Sequence, residues 1–106
     1  MINQNFTLTK GDSLSFTITI EDTEIAPDDI TFIVKDNVNS DKEIIKKILN
    51  GGITRTEAEG YVYEVFIPYT DTEDLKLLNY IYQIEITFGA DRETVCEGKF
   101  IITPEV

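Results

Sequence analysis

Ser13-Leu14-Ser15-Phe16-Thr17-Ile18-Thr19-Ile20 is the stretch whose reading decides the fold. Every second residue is apolar, and every residue between is Ser or Thr. Successive side chains of a strand point to opposite faces, so Leu14, Phe16, Ile18 and Ile20 define a core face and the hydroxyl residues a wet one. Lys10-Gly11-Asp12 just before it reads as a turn, since Gly tolerates positive φ and Asp closes Asx-type bonds. Residues 2–8 read as a short first strand. Further along, Ala26-Pro27-Asp28-Asp29 is a second turn cluster. It leads into a strand over 30–35 with Ile30, Phe32 and Val34 inward, followed by a polar loop over 36–42.

Residues 43–49 fit two periods. Ile44, Ile45, Ile48 and Leu49 match a helical stripe, and Ser40 with Glu43 resembles a capping box. The shortness of the run, its β-branched isoleucines and the Asn50-Gly51-Gly52 that ends it favour a strand. Beyond it, Tyr61, Tyr63, Val65 and Ile67 alternate up to the stop at Pro68. Thr70 to Leu77, with apolar Leu75 and Leu78, reads as one helical or 3₁₀ turn crossing between strands. Tyr80, Tyr82, Ile84, Ile86 and Phe88 form the next apolar face. A hairpin loop over 89–92 and a last strand over 93–103 follow, with Cys96, Gly98, Phe100 and Ile102 on one side and Gly98 marking a possible bulge.

About seven strands at short spacing predict an all-β fold, an immunoglobulin-like antiparallel β-sandwich occupying residues 1–106 as one domain. The inter-sheet disulfide and core Trp of antibody domains are absent, because the chain has one Cys and no Trp. Two readings stand for Tyr80 and Tyr82: one phenol caps the crossover as a tyrosine corner, or both are core aromatics with wet tips.

The net charge of −11, from 20 acidic and 9 basic residues, opposes capture of nucleic acid or anionic lipid and favours solubility. No run of 18 apolar residues spans a membrane. Met1-Ile2-Asn3-Gln4-Asn5 lacks the basic and apolar regions of a signal peptide, so cytoplasmic synthesis is expected. A chain of this length buries only about two-thirds of its unfolded surface, which leaves a small stability margin.

Chemistry is sparse. Without His there is no triad and no zinc site, and Cys96, lacking an imidazole partner, reads as a small apolar strand residue. Gly51-Gly52 lacks the spacing and the Lys-Ser/Thr of a phosphate loop. Paired acids of a glycosidase need a deep cleft, which small sandwiches rarely have. Three acidic groups suit calcium by composition: Asp36, Asn39, Asp41 and Glu43; Asp28 and Asp29; Asp71, Glu73 and Asp74. Their preferred reading is solvated turn acids. Asn5-Phe6-Thr7 is a sequon by chance. The expectation is no enzyme, with no catalytic residue, cofactor or metal. Ile33, Ile45, Phe66, Ile81 and Ile101 fall on faces otherwise polar. They are either core under loops or, if clustered on the surface, a contact patch.

The run from Asp71-Thr72 through Leu75 and Tyr80-Ile81-Tyr82-Gln83-Ile84-Glu85-Ile86, then Thr94-Val95 and Gly98-Lys99-Phe100-Ile101-Ile102, resembles a known pattern. It is similar to the Ig-like N-terminal domain of baseplate upper proteins and related tail proteins of phages and prophages of Gram-positive bacteria. Lys10-Gly11-Asp12-Ser13 resembles the same family's opening. So does Ile44-Ile45-Lys46-Lys47 ahead of Asn50-Gly51-Gly52-Ile53, which supports a strand there. The resemblance touches most of the chain, but its motifs have packing and turn roles and transfer no site residue. It implies a structural or adaptor module of a tail or baseplate, in the virion, whose partners are other phage structural proteins or a second copy. Family members are often joined to a fibre or receptor-binding region. This sequence stops at Pro104-Glu105-Val106, so receptor binding is not carried over. The alternative is a bacterial Ig-like adhesion or ligand-binding module, with or without calcium assistance.

Overall fold

A computed structural model of the chain describes residues 2–20, 26–37, 39, 41–56, 61–76 and 79–103. The elements in order are β1 (Ile2–Asn3), β2 (Phe6–Thr9), β3 (Leu14–Ile20), β4 (Asp29–Lys35), β5 (Glu43–Leu49), β6 (Gly52–Arg55), β7 (Tyr61–Ile67), α1 (Tyr69–Thr72), β8 (Asn79–Phe88) and β9 (Asp91–Thr103). Ser40 of the capping-box reading, Leu78 of the crossover and the last residues 104–106 lie outside the described residues.

Hydrogen bonding follows one path, β1-β9-β8-β4-β5-β6-β7-β3, with β2 also beside β9. The path folds over at β5–β6, where Asn50 takes φ 67° and Gly52 φ 106° in a tight coil that only Gly and Asn enter readily. A front layer, β1/β2-β9-β8-β4-β5, thus covers a back layer, β6-β7-β3. The smallest extent of the molecule, 22 Å, is that of two sheets about 10 Å apart plus their outer side chains. With β3, β7 and β6 behind and β4, β8, β9 and β5 in front, this is the strand arrangement of an immunoglobulin-like sandwich.

The alternations hold. Ile30, Phe32 and Val34 of β4 are fully buried, as are Val65 and Ile67 of β7, while Ser15, Thr17 and Thr19 of β3 are exposed. Residues 43–49 are a strand, and the helical period there has a cause. Val34 pairs with Ile45 and Lys35 with Glu43, so Ile44 is the extra residue of a bulge. The bulge sets two isoleucines side by side and turns Ile45 into the core.

Several expectations are corrected. Among the described residues strands number nine rather than about seven, and not all pairings are antiparallel. The first segment breaks at Gln4-Asn5 into β1 and β2, which run parallel to β9 because the chain enters alongside its own last strand. Strand β6 has a single buried apolar residue, Ile53, so it offered no alternation to read. The hairpin loop is only Gly89-Ala90, because Phe88 already pairs with Asp91, and Gly89 takes φ 57° there. The bulge of β9 falls at Val95, between the Ile84–Cys96 and Glu85–Thr94 pairs, not at Gly98.

Aromatic rings fill the centre where antibody domains place a disulfide and a Trp. Phe6 lies 4.5 Å from Phe16 and 5.0 Å from Tyr82 between centroids, and Phe32 lies 5.5 Å from Phe16 and 5.6 Å from Tyr82. Such tilted and edge-on contacts suit the ring quadrupoles. The two tyrosines divide their expected roles. Tyr80 is the tyrosine corner, its hydroxyl accepting the Lys76 N–H at 3.2 Å across the crossover. Tyr82, two residues on, points into the aromatic cluster.

The crossover is fastened by Thr72, which is fully buried. Its hydroxyl donates to the Asp12 carbonyl at 2.7 Å, with the Tyr69 carbonyl 3.1 Å away, tying α1 to the turn before β3. Thr72→Val keeps the shape and leaves the Asp12 carbonyl without that donor. The expected cost is about 1–2 kcal/mol, read as a lower urea midpoint at unchanged m-value.

Candidate functional site

Asp28, Asp29 and Asp71, three of the candidate calcium ligands, tie elements of the fold together. Asp28 accepts the Gly89 N–H through Oδ2, joining the β3–β4 connection to the β8–β9 hairpin. Asp29 Oδ1 accepts the N–H of Ile30 at 2.8 Å and of Leu49 at 3.3 Å. Asp71 Oδ2 receives Lys47 Nζ at 2.6 Å, an ion pair between β5 and the crossover. In the 36–42 loop, Asn37 Oδ1 accepts the Asn39 N–H at 3.0 Å, an Asx turn. Among the described residues no three His, Cys, Asp or Glu side chains converge as a metal site, and no helix is long and apolar enough to cross a membrane.

Cys96 is buried on the core side of β9, its sulfur 3.2 Å from the Tyr82 hydroxyl. That hydroxyl donates to the Gln4 carbonyl at the break between β1 and β2. The break is held on both flanks, by Gln4 N–H to the Glu97 carbonyl at 3.1 Å and by Lys99 N–H to Asn5 Oδ1 at 3.0 Å. Asn5, first residue of the sequon, is thereby a strand clip. Gly98 lets the crossing occur: a Cβ there would overlap the Gln4 carbonyl oxygen and lie 2.8 Å from its carbon. Its role is close backbone approach.

Burial, then the hydrogen bond and charge of Cys96, push the Tyr82 phenol well above its ordinary value of 10.0. The unfolded chain therefore releases this proton first. The contribution is fully present below pH 10 and is lost as pH rises from there towards the folded value, at up to about 1.4 kcal/mol per pH unit. Tyr82→Phe should be less stable than the parent at neutral pH by about 1 kcal/mol, having lost the bond to Gln4. Denaturation across pH 8–11 should show that gap shrinking above pH 10.

The two outer faces differ. The back sheet shows Ser15, Thr17, Thr19 and Glu64 to solvent, with Phe66, 46% exposed, its large apolar exception. On the front sheet, Ile33, Ile81 and Ile101 are partly exposed, and Ile48, 42% exposed, joins them. Of the four isoleucines and one phenylalanine expected on polar faces, Ile45 is core, Phe66 stands on the back and the other three share the front. Ile48 escaped the sequence reading because the bulge at Ile44 disguised its phase.

Fold and surface together define the class: an immunoglobulin-like β-sandwich with a wet back sheet and an apolar-streaked front sheet. No family model matches the chain, and no curated protein matches it in sequence. Among solved structures it is similar to the extracellular domains of the voltage-gated sodium channel beta4 subunit, described as parallel homodimers that explain that subunit's role in cell-cell adhesion. Identity is 10%, the TM-score 0.46, and the match covers 98% of this chain and 93% of that one. The Ig-like assignment rests on strand order and the tyrosine corner, not on that likeness.

Proposed function

We propose that the chain is a non-enzymatic, immunoglobulin-like interaction module that builds into the tail or baseplate of a phage or prophage through contacts of its sheet face, after synthesis in the cytoplasm. The observation that carries the interaction reading is the front sheet, where four isoleucines reach the surface in a chain of net charge −11. The tail assignment is supported by the resemblance, whose residues hold structural posts. Thr72 fastens the crossover, Tyr80 and Tyr82 make the corner and the core, and Gly98 admits the chain entry.

The test is mass spectrometry of particles purified after prophage induction of the bacterium that carries the gene. The chain is expected at stoichiometric abundance in tail-containing fractions, with tail genes beside its own. Its absence from the particles, with no tail gene nearby, removes the tail assignment and leaves the adhesion or ligand-binding reading.

A further inference from the structure

Lys47 stands on the core side of its strand, where a lysine is out of place. It lies directly opposite Phe32 on β4, and paired residues point to the same face. Phe32 is fully buried, Ile45 on the same face of β5 is buried, and Leu49 packs against the core. The lysine stem therefore leaves the strand inward and has to carry its charge to a partner. Gly52 opens the route. A Cβ there would lie 2.6 Å from Lys47 Cδ and 3.1 Å from its Cγ, so the stem runs against bare backbone at the β5–β6 coil.

The stem ends at Asp71 in the crossover. Nζ is 2.6 Å from Oδ2, and the two side chains are 18% and 32% exposed. Asp71 is fixed in place: its N–H donates to the Pro68 carbonyl at 3.0 Å, and the buried Thr72 beside it is tied to Asp12. The contact is close without being a hydrogen bond, because Oδ2 is buried and accepts none. A charge-assisted N–H···O bond spans about 2.7–2.9 Å. Nitrogen and oxygen on one amide carbon lie about 2.3 Å apart. The separation of Lys47 and Asp71 falls between the two.

We propose that Lys47 and Asp71 join as an intramolecular amide, a covalent crosslink between β5 and the crossover. One ammonium proton passes to the carboxylate, leaving a neutral amine beside a neutral acid. The amine nitrogen attacks Cγ and forms the C–N bond. The C–O bond then breaks, and the hydroxyl leaves with a second proton from the nitrogen as water. Of the three ammonium hydrogens, one stays on the amide nitrogen and two leave in the water, so no oxidant, reductant or co-reactant is required. Holding the two groups in contact makes the step unimolecular, which is where its rate comes from. The product closes residues 47–71 into a loop that unfolding cannot open. It restricts the unfolded chain as a disulfide would, in a chain whose single Cys allows none within it. The bond and the tail assignment are independent, and either can fail without the other.

Intact-mass spectrometry of the purified, denatured chain tests it. The mass is expected to fall short of that of the sequence by one water. Trypsin should leave residues 47–55 joined to 56–76 through Lys47 and Asp71, with no cut after Lys47. Lys47→Arg and Asp71→Ala should each show their full sequence mass. Asp71→Asn should close the same bond by losing ammonia, and so reach the same final mass as the parent. A parent chain at full mass after prolonged incubation at neutral pH overturns the inference. So does a water deficit that persists in Lys47→Arg or maps to other residues. Where a variant fails to fold, the joined fragments of the parent decide alone.

Discussion

Phe32→Ala should lower stability by about 4 kcal/mol, the largest effect of any single truncation expected in this chain. Phe32 is fully buried on β4 and touches the rings of Phe16, Tyr82 and Phe100, the last at a centroid distance of 6.4 Å. It therefore joins the back sheet, through Phe16, to β8 and β9 of its own sheet. Removing the ring leaves a cavity that three strands would have to close together. Domains of this size have only about 5–15 kcal/mol in total, so the variant sits near its unfolding threshold at 37 °C. Urea titration gives the answer directly. A loss under about 1.5 kcal/mol would mean that the aromatic cluster does not hold the layers together in place of a disulfide.

Gly98→Ala is the second large effect, and the reason is backbone rather than ring. The new methyl meets the Gln4 carbonyl, which cannot swing aside without pulling β1 and β2 off β9. The expected cost is about 3 kcal/mol, with a melting temperature about 15 °C lower. Gly11→Ala is the matched control. Its φ of 88° is also strained for alanine, but nothing lies within 4 Å of the added carbon, so only about 1 kcal/mol is expected. Equal losses at the two positions would show that the crossing over Gly98 is not tight. Hydrogen exchange should separate them further, with the amides of Gln4 and Lys99 losing protection in the Gly98 variant alone.

The layers were legible in the sequence because most strands have one wet face. Ser13 to Ile20 and Tyr80 to Phe88 show their inward residues without ambiguity, and the structure buries the same faces. What was hidden has physical reasons. An extra residue in a bulge breaks the period of two, so Ile44 made β5 look helical and concealed the outward phase of Ile48. Strand β6 is too short and too polar to carry any period. Parallel pairing leaves no local mark, since β1 and β2 meet β9 more than 90 residues later in the chain. Gly98 was legible as a special glycine but not as a crossing point, because its neighbour comes from the opposite end of the sequence. The exposed isoleucines of the front sheet come from four strands, and no single segment contains them.

The parallel pairing of β1 and β2 with β9 has a mechanical consequence. Phe6 to Thr9 run beside Phe100 to Thr103 in the same direction, so opposite pulls on residues 2 and 103 slide these strands along one another. Such a load acts on all their hydrogen bonds together, in shear, instead of peeling them one at a time as at the mouth of an antiparallel hairpin. The fold is therefore strongest along the line joining its two ends. A chain placed in series within a structure under tension would transmit force there while its outer faces stayed undistorted.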